Sequence, residues 1–416
     1  MEEILRLMNP WWENRQFELG IFRSAYLKRI MQLMKLKEII ILMGIRRVGK
    51  TTIIFQSIDY LIKKKKISPH KILYVTLDHP QFININIADI IREFRKIYKL
   101  NRDDKLYVFL DEIQHLDEWE KHIKPFYDFE NIKLIVSGSS ATLIKRQSSN
   151  LTGRFIKIDI LPIDFNEFLK FKGAAISKIE EYKYEKYLED YLKIGGLPFF
   201  VLHESIGYLS DLIESVVYKD IVQLYSIKYP KIVENLLLLM AERIGQKTSF
   251  NKLKNILNLS LDTVKEYIYY LELSFILVPI KKFSYSINEQ IYSAHKYYFL
   301  DNGIRNALVG FKNIGSLAEN LLAIYLMRQF KKVEYHQEKK EIDFIIKSRG
   351  KVIPVESKYN DEIADEHIDI LLGFMKEKRL NRGYIISKNL EKNIDKEEKR
   401  IIIIPLWKLL IGKASI

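Results

Sequence analysis

The sequence predicts an α/β protein in which a parallel sheet bearing a glycine-rich loop is followed by a helical stretch, a winged helix-turn-helix and a second α/β domain. Three observations carry that prediction. Short, wholly apolar runs alternate with helix-period stretches as far as Val136, the pattern of parallel strands covered on both faces. A glycine-rich octapeptide, Gly44 to Thr51, lies directly between one such run and a helical stretch. The alternation returns from Tyr297 onward, after an interval that is mostly helical.

In chain order, residues 1–36 form an N-terminal helical segment that holds Asn9-Pro10-Trp11-Trp12-Glu13 and a helix-like stretch through Met34. Tandem tryptophans beside a proline either fill a hydrophobic notch or stack on a partner. A core over 37–160 opens with the buried strand Glu38 to Met43 and continues with strands at Lys71 to Leu77, Leu106 to Leu110 and Lys133 to Val136. Its helical stretch Ile87 to Leu100 separates two of those strands. Residues 161–230 turn helical, broken by Gly195-Gly196-Leu197-Pro198, and are expected to form a helical lid that moves against the C-terminal half.

Residues 231–285 give helices at Lys231 to Ile244, Phe250 to Leu257 and Leu261 to Leu273, then a strand at Ile276 to Lys282. That succession predicts a winged helix-turn-helix. Ser260 to Leu273 would be its recognition helix, with Thr263, Lys265 and Glu266 toward a groove. The helix holds few basic residues, so DNA reading and a protein-spacer role are both open. Residues 286–416 complete the chain as the second α/β domain, with closing strands near Tyr384 to Ile386 and Ile401 to Ile404.

A length of 416 residues, 48% of them hydrophobic, is enough for two or three domains of about 150 residues each. Cysteine is absent, which excludes disulfides, a cysteine zinc site and a thiol nucleophile. Met1-Glu2-Glu3-Ile4 is acidic where a secretory leader is basic, and no apolar run approaches the roughly 18 residues of a membrane span. A cytoplasmic, soluble protein without a membrane partner is the expectation. Lys and Arg (67) exceed Asp and Glu (53), for a net charge of +14, so nucleic acid, DNA first, is a candidate partner. A genome rich in A and T inflates lysine and gives the same charge without one. Lys63 to Lys66 reads as a solvated helix end.

Gly44-Ile45-Arg46-Arg47-Val48-Gly49-Lys50-Thr51 matches G-x-x-x-x-G-K-[ST], and with Thr52 it forms the expected nucleotide-binding set. Glycines let backbone N–H groups close on phosphates, and the helix N-terminus adds its positive end. Lys50 would reach the β and γ phosphates, and the Thr51 hydroxyl would hold Mg²⁺. The strand Tyr107 to Leu110 delivers Asp111-Glu112 at its C-terminal end, where open α/β sheets place ligands. Asp111 would bind Mg²⁺ through water and Glu112 would polarise the attacking water.

Ser137, opening Ser137-Gly138-Ser139-Ser140, either orients that water or touches the γ phosphate, or caps a helix. Arg154, in Leu151-Thr152-Gly153-Arg154, either supplies transition-state charge in trans within a homo-oligomer or is a solvated or structural arginine. His115 is a nucleotide sensor or a surface residue.

Taken together, residues 37 to about 160 resemble the archaeal and bacterial P-loop ATPases of the AAA+ superfamily. The branch in question carries a G-x-R-R-x-G-K-T loop, a strand ending in Asp-Glu, V-S-G-S-S and L-x-G-R, and all four stand here, from Gly44, at Asp111-Glu112, from Val136 and from Leu151. The likeness continues through Leu161 to Phe168 and Gly195 to Pro198. It implies an AAA+-like P-loop NTPase using ATP and Mg²⁺, with ATP preferred over GTP because no guanine-reading N-K-x-D is present. Roles in nucleic-acid transactions or defence are implied with it.

In the last domain, Glu319 lies in a helical stretch, Asp343 in Glu341-Ile342-Asp343-Phe344, and Glu356 and Lys358 in Glu356-Ser357-Lys358. An acidic residue opening one strand and E-x-K in the next is the arrangement of PD-(D/E)xK nucleases. Asp343 and Glu356 would hold Mg²⁺, Lys358 would share the strand face of Glu356, and Glu319 would complete the metal shell. Tyr298 to Gly303, Gly315 to Leu322 and these two acidic segments are similar to the domain of unknown function that commonly follows this ATPase core. A restriction-endonuclease-like α/β domain is therefore expected, as a cutting nuclease, an inactive binding fold or a purely structural element. The function expected overall is an Mg-ATP-hydrolysing ATPase acting on or with nucleic acid; the alternative is an ATP-controlled protein-interaction switch with a non-catalytic nuclease-like domain.

Overall fold

The computed structural model describes the chain apart from residues 83–84, 117, 139–152, 206, 285, 339 and 349. Contacts divide it into two units, 1–161 with 273–275, and 162–272 with 276–416.

The first unit contains helices α1 (Glu2–Met8), α2 (Ser24–Leu33), α3 (Lys50–Lys63), α4 (Ile87–Tyr98) and α5 (Trp119–Phe129). Its strands are β1 (Ile39–Met43), β2 (Ile72–Thr76), β3 (Leu106–Asp111), β4 (Ile132–Gly138) and β5 (Phe155–Asp159). All pair in parallel, in the order β2-β3-β4-β1-β5. Every residue of β1, β3 and β4 is buried, which is why these runs show no polar alternation.

An edge strand exposes unpaired backbone groups, and in β2 the N-terminal segment supplies their partners. The Asn9 side chain accepts from Tyr74 N at 2.7 Å and donates to Tyr74 O at 2.9 Å. Trp11 and Trp12 both donate their indole N–H to Ile72 O, at 3.2 and 2.8 Å, and the Trp12 ring stacks on Phe94 at 5.3 Å. Both tryptophans are buried, so they fill a notch in the core.

The second unit begins with α6 (Phe165–Phe171), α7 (Lys183–Ile194), α8 (Pro198–His203) and α9 (Tyr208–Ser215), followed by a π-helical turn over Val216–Val222. Next come α10 (Pro230–Glu242), α11 (Phe250–Leu257), α12 (Leu261–Leu273), β6 (Leu277–Lys282), α13 (Ile287–Tyr292) and β7 (Lys296–Phe299). The rest is α14 (Asn302–Val309), α15 (Ile314–Gln329), β8 (Val333–Gln337), β9 (Glu341–Ser348), β10 (Lys351–Ser357), α16 (Asp365–Glu377), β11 (Arg382–Ser387), β12 (Lys392–Lys396), β13 (Lys399–Pro405) and α17 (Leu406–Leu410). One mixed eight-stranded sheet runs β12-β13-β11-β10-β9-β8-β6-β7. The antiparallel pair β6 and β7, at the place expected for a wing, thus continues into the sheet of the C-terminal domain, because β6 also pairs with β8.

The helices expected to move against the C-terminal half are fastened to it. Helix α7 packs on α14, α15 and α17. Asp301, the N-cap of α14, accepts from Gly196 N at 2.5 Å, Asn306 donates to Leu192 O and Lys193 O at 2.9 Å, and Arg328 donates to Pro162 O at 2.8 Å. Gly195 and Gly196 are needed for this close approach: a Cβ on Gly195 would stand 2.3 Å from the Asp301 carboxylate, and one on Gly196 2.4 Å from Ile163 O. Among the described residues no helix is long and apolar enough to cross a membrane.

Candidate functional site

In the first unit the C-terminal end of β1 runs into Gly44, where a Cβ would stand 2.3 Å from Ile160 O. The loop is anchored by buried Ile45 and Val48 and turns through left-handed Arg47 (φ 62°) and Gly49 (φ 95°) into α3. Lys50 is only 4% exposed, and its ammonium curls back over the loop, donating to Gly44 O at 2.9 Å and Ile45 O at 3.2 Å. A cation held over a ring of backbone groups at a helix N-terminus is a receptor for phosphate.

Asp111 joins this loop to the sheet. Strand β4 lies between β3 and β1, yet the Thr51 hydroxyl donates to Asp111 Oδ2 at 2.6 Å. The same carboxylate accepts from the Tyr74 hydroxyl at 3.0 Å, from the Ser137 hydroxyl and from Glu112 N at 3.2 Å. These four donors compensate an anion that is 1% exposed. Burial, with the Asp111 charge added, holds the Tyr74 phenol well above its ordinary range, so it stays a donor. Glu112 follows in a left-handed conformation (φ 53°) and takes a hydrogen bond from the Gln114 amide. The Thr51 hydroxyl and the Asp111 carboxylate are hard oxygen donors beside a phosphate receptor, a donor set that fits Mg²⁺.

The second unit brings the C-terminal residues together. The register that pairs Val355 with Phe344 puts Glu356 opposite Asp343. Lys358 Nζ lies 3.1 Å from Glu356 Oε2 and 3.7 Å from Asp343 Oδ2, and Ser357 N donates to Asp343 Oδ2 at 3.0 Å. Glu319 enters from α15 and accepts from the Tyr298 hydroxyl at 2.7 Å. Lys296, 2% exposed on β7, places Nζ 2.5 Å from Glu341 Oε1, 3.4 Å from Asp343 Oδ1 and 3.6 Å from Glu319 Oε1.

The electrostatics of this cluster are self-contained. Burial, reinforced by the Asp343 charge, pushes the Glu319 carboxyl up to about 7 and the Glu356 carboxyl well above the ordinary range. Burial works against Asp343 too, but Lys296 and Lys358 hold it low. Burial likewise opposes charge on Lys296, and Asp343, Glu319 and Glu341 outweigh it, so the ammonium persists. Among the described residues no three His, Asp or Glu side chains are set to hold one metal ion. Lys296 engages Asp343 and Glu319, and Lys358 engages Asp343 and Glu356, so each carboxylate expected to hold Mg²⁺ already faces an ammonium and the ion does not fit the residues present.

Residues 36–169 match the family model described as AAA domain. Residues 185–314 match a second model, Domain of unknown function (DUF8612), and residues 314–409 a third, Domain of unknown function (DUF4143). An uncharacterized protein of Haemophilus influenzae is 28% identical over 351 residues, covering 81% of this chain and 86% of that one. An uncharacterized protein of Methanocaldococcus jannaschii is 29% identical over 398 residues, covering 89% and 88%. Among solved structures, a Walker-type ATPase of Pyrococcus abyssi matches 69% of this chain and 95% of its own at 14% identity and a TM-score of 0.42. AMPPCP-bound DnaA from Aquifex aeolicus matches 64% and 92% at 17% identity and a TM-score of 0.29. The first unit has an AAA-type P-loop ATPase fold.

Of the residues expected at the nucleotide site, Gly44 to Thr51, Asp111, Glu112 and Ser137 come together. Thr52 lies one position further along α3 and faces Gly20, at which a Cβ would be 3.2 Å from its methyl. His115 is exposed in the turn after Glu112. Ser139, Ser140, Leu151 and Thr152 lie outside the described residues.

Within the chain, Arg154 stands apart from the residues of the nucleotide site. It precedes β5, its backbone O accepts from Ile39 N at the start of β1, and its side chain pairs with Asp128 at 3.3 Å. The phosphate loop leaves the other end of β1, about 13 Å away at the rise of a strand. Sequence reasoning missed Tyr74, Lys296, Tyr298 and Glu341. For Lys296 the available sign was a lysine opening a strand that is otherwise aromatic.

Proposed function

We propose that the protein binds Mg-ATP on Gly44 to Thr52 and hydrolyses it, and that the nucleotide state governs what the second unit binds. The single observation that carries this reading is the Lys50 ammonium folded over the loop beside a Thr51–Asp111 hydrogen bond. On binding, Lys50 exchanges Gly44 O and Ile45 O for phosphate oxygens, and the backbone N–H groups of the loop close around them. Thr51 and Asp111 would hold Mg²⁺, which neutralises phosphate charge when bound. Glu112, freed from Gln114, polarises water for attack on the γ phosphate. Ser137, hydrogen-bonded to Asp111 at the end of β4, stands ready to orient that water. Arg154 contributes in this scheme only from a neighbouring copy in a homo-oligomer.

For the work done, the net charge of +14 supports nucleic acid as the partner. The lysine-filled acidic cluster favours the reading in which the nuclease-like domain binds rather than cuts. ATP turnover measured with and without DNA across a salt series tests the partner. Stimulation that collapses as salt rises supports nucleic acid; failure to bind DNA even at low salt removes it and leaves a protein-interaction switch.

A further inference from the structure

We propose that Lys296 is the resident cation of the C-terminal cluster, engaging Asp343 and Glu319, two of the carboxylates a cleaving PD-(D/E)xK centre would need for its divalent metal, so that the domain performs no metal-dependent strand cleavage. Three carboxylates from two elements, Glu319 on α15 and Glu341 and Asp343 on β9, converge on one ammonium within 3.6 Å. A divalent ion would have to take these same oxygens, which are engaged by the ammonium and, as they stand, are not set to hold a metal.

Lys296 cannot easily leave them. All four residues of β7 are buried, and the Lys296 ammonium lies 5.7 Å from the centroid of the Tyr335 ring. The Tyr298 hydroxyl fixes Glu319 from the same strand, and Gly245 leaves room for that carboxylate, since a Cβ there would be 2.9 Å from Glu319 Oε1. Withdrawing the lysine would remove the ammonium facing Glu319 and one oxygen of Asp343, while adding a divalent ion beside it would set like charges against each other. The second lysine deepens the effect, because Lys358 already engages the other oxygen of Asp343 and one oxygen of Glu356. Each oxygen of Asp343 therefore faces an ammonium, and a divalent ion would have to displace one of them.

The test is Mn²⁺ binding by the full chain without nucleotide, read by electron paramagnetic resonance, for the parent, Asp343→Asn, Lys296→Met and the double variant. Because the nucleotide loop also offers oxygen donors, only Mn²⁺ binding that disappears with Asp343→Asn is scored. The expected result is no such binding in the parent, and a site in Lys296→Met at least tenfold tighter that the double variant lacks. A parent site lost in Asp343→Asn overturns the proposal, as does a folded Lys296→Met that gains none. Should Lys296→Met not fold, the parent and Asp343→Asn decide by themselves, together with plasmid nicking in Mn²⁺. Nicking by the parent that Lys358→Ala abolishes also overturns it.

Discussion

Asp111 gathers four hydrogen bonds from four different segments, and three of their donors, Thr51, Ser137 and Glu112 N, belong to motifs visible in the sequence. The fourth, Tyr74, was not legible, because it stands in β2 among apolar neighbours and only the parallel pairing of β2 with β3 brings it to Asp111. Groups that orient a metal-binding carboxylate typically matter about tenfold or more. Tyr74→Phe is therefore expected to raise the Mg²⁺ concentration for half-maximal ATP hydrolysis about tenfold, with turnover at saturating Mg²⁺ little changed. An unaltered Mg²⁺ titration would show that the phenol only packs. Lys296 was hidden for the same reason: the E-x-K spacing is local and readable, whereas Lys296 joins Asp343 from 47 residues away.

At the scale of elements, the alternation of apolar runs and helices correctly indicated the parallel sheet of the first unit, since each strand is buried through its own sequence. The attachment of α7 depended on long-range polar contacts that no local pattern records. Asp301 is the chief of these, and it makes that attachment sensitive to pH. Burial pushes its carboxyl up to about 6, against the backbone N–H groups of Gly196, Ile304 and Gly303 that pull it down. Unfolded, the group titrates near 3.9, so between about pH 4 and 6 the folded chain holds more protons than the unfolded one. The stability Asp301 contributes is thus full below that window and falls as pH rises through it, by up to roughly 3 kcal/mol. Asp301→Asn, neutral throughout, should show a flatter profile of melting temperature against pH between 4 and 6. A profile as steep as the parent's would assign the slope to other groups.

For the molecule as a whole, length led to an expectation of several domains and charge made a polyanion one candidate partner, but the boundaries were less legible than the motifs. A division after residue 285 falls between β6 and β7, which the structure pairs within one sheet, because a strand's neighbours are chosen by packing and not by nearness in sequence. The first unit is the one the nucleotide should stabilise. Ligand binding to the folded state at a hundred times its Kd adds about 2.7 kcal/mol, so scanning calorimetry should show a transition that rises with Mg-ATP. That rise should be absent in Lys50→Ala.

The central claim is that the first unit binds and hydrolyses Mg-ATP with Lys50 and Glu112 in separate roles. Its most direct test is ATP binding and phosphate release in Mg²⁺ by the parent, Lys50→Ala and Glu112→Gln. We expect turnover in the parent, loss of both binding and turnover in Lys50→Ala, and retained binding with at least a hundredfold slower turnover in Glu112→Gln. A parent that does not bind ATP, or a Lys50→Ala variant that hydrolyses it at the parent's rate, would contradict the account.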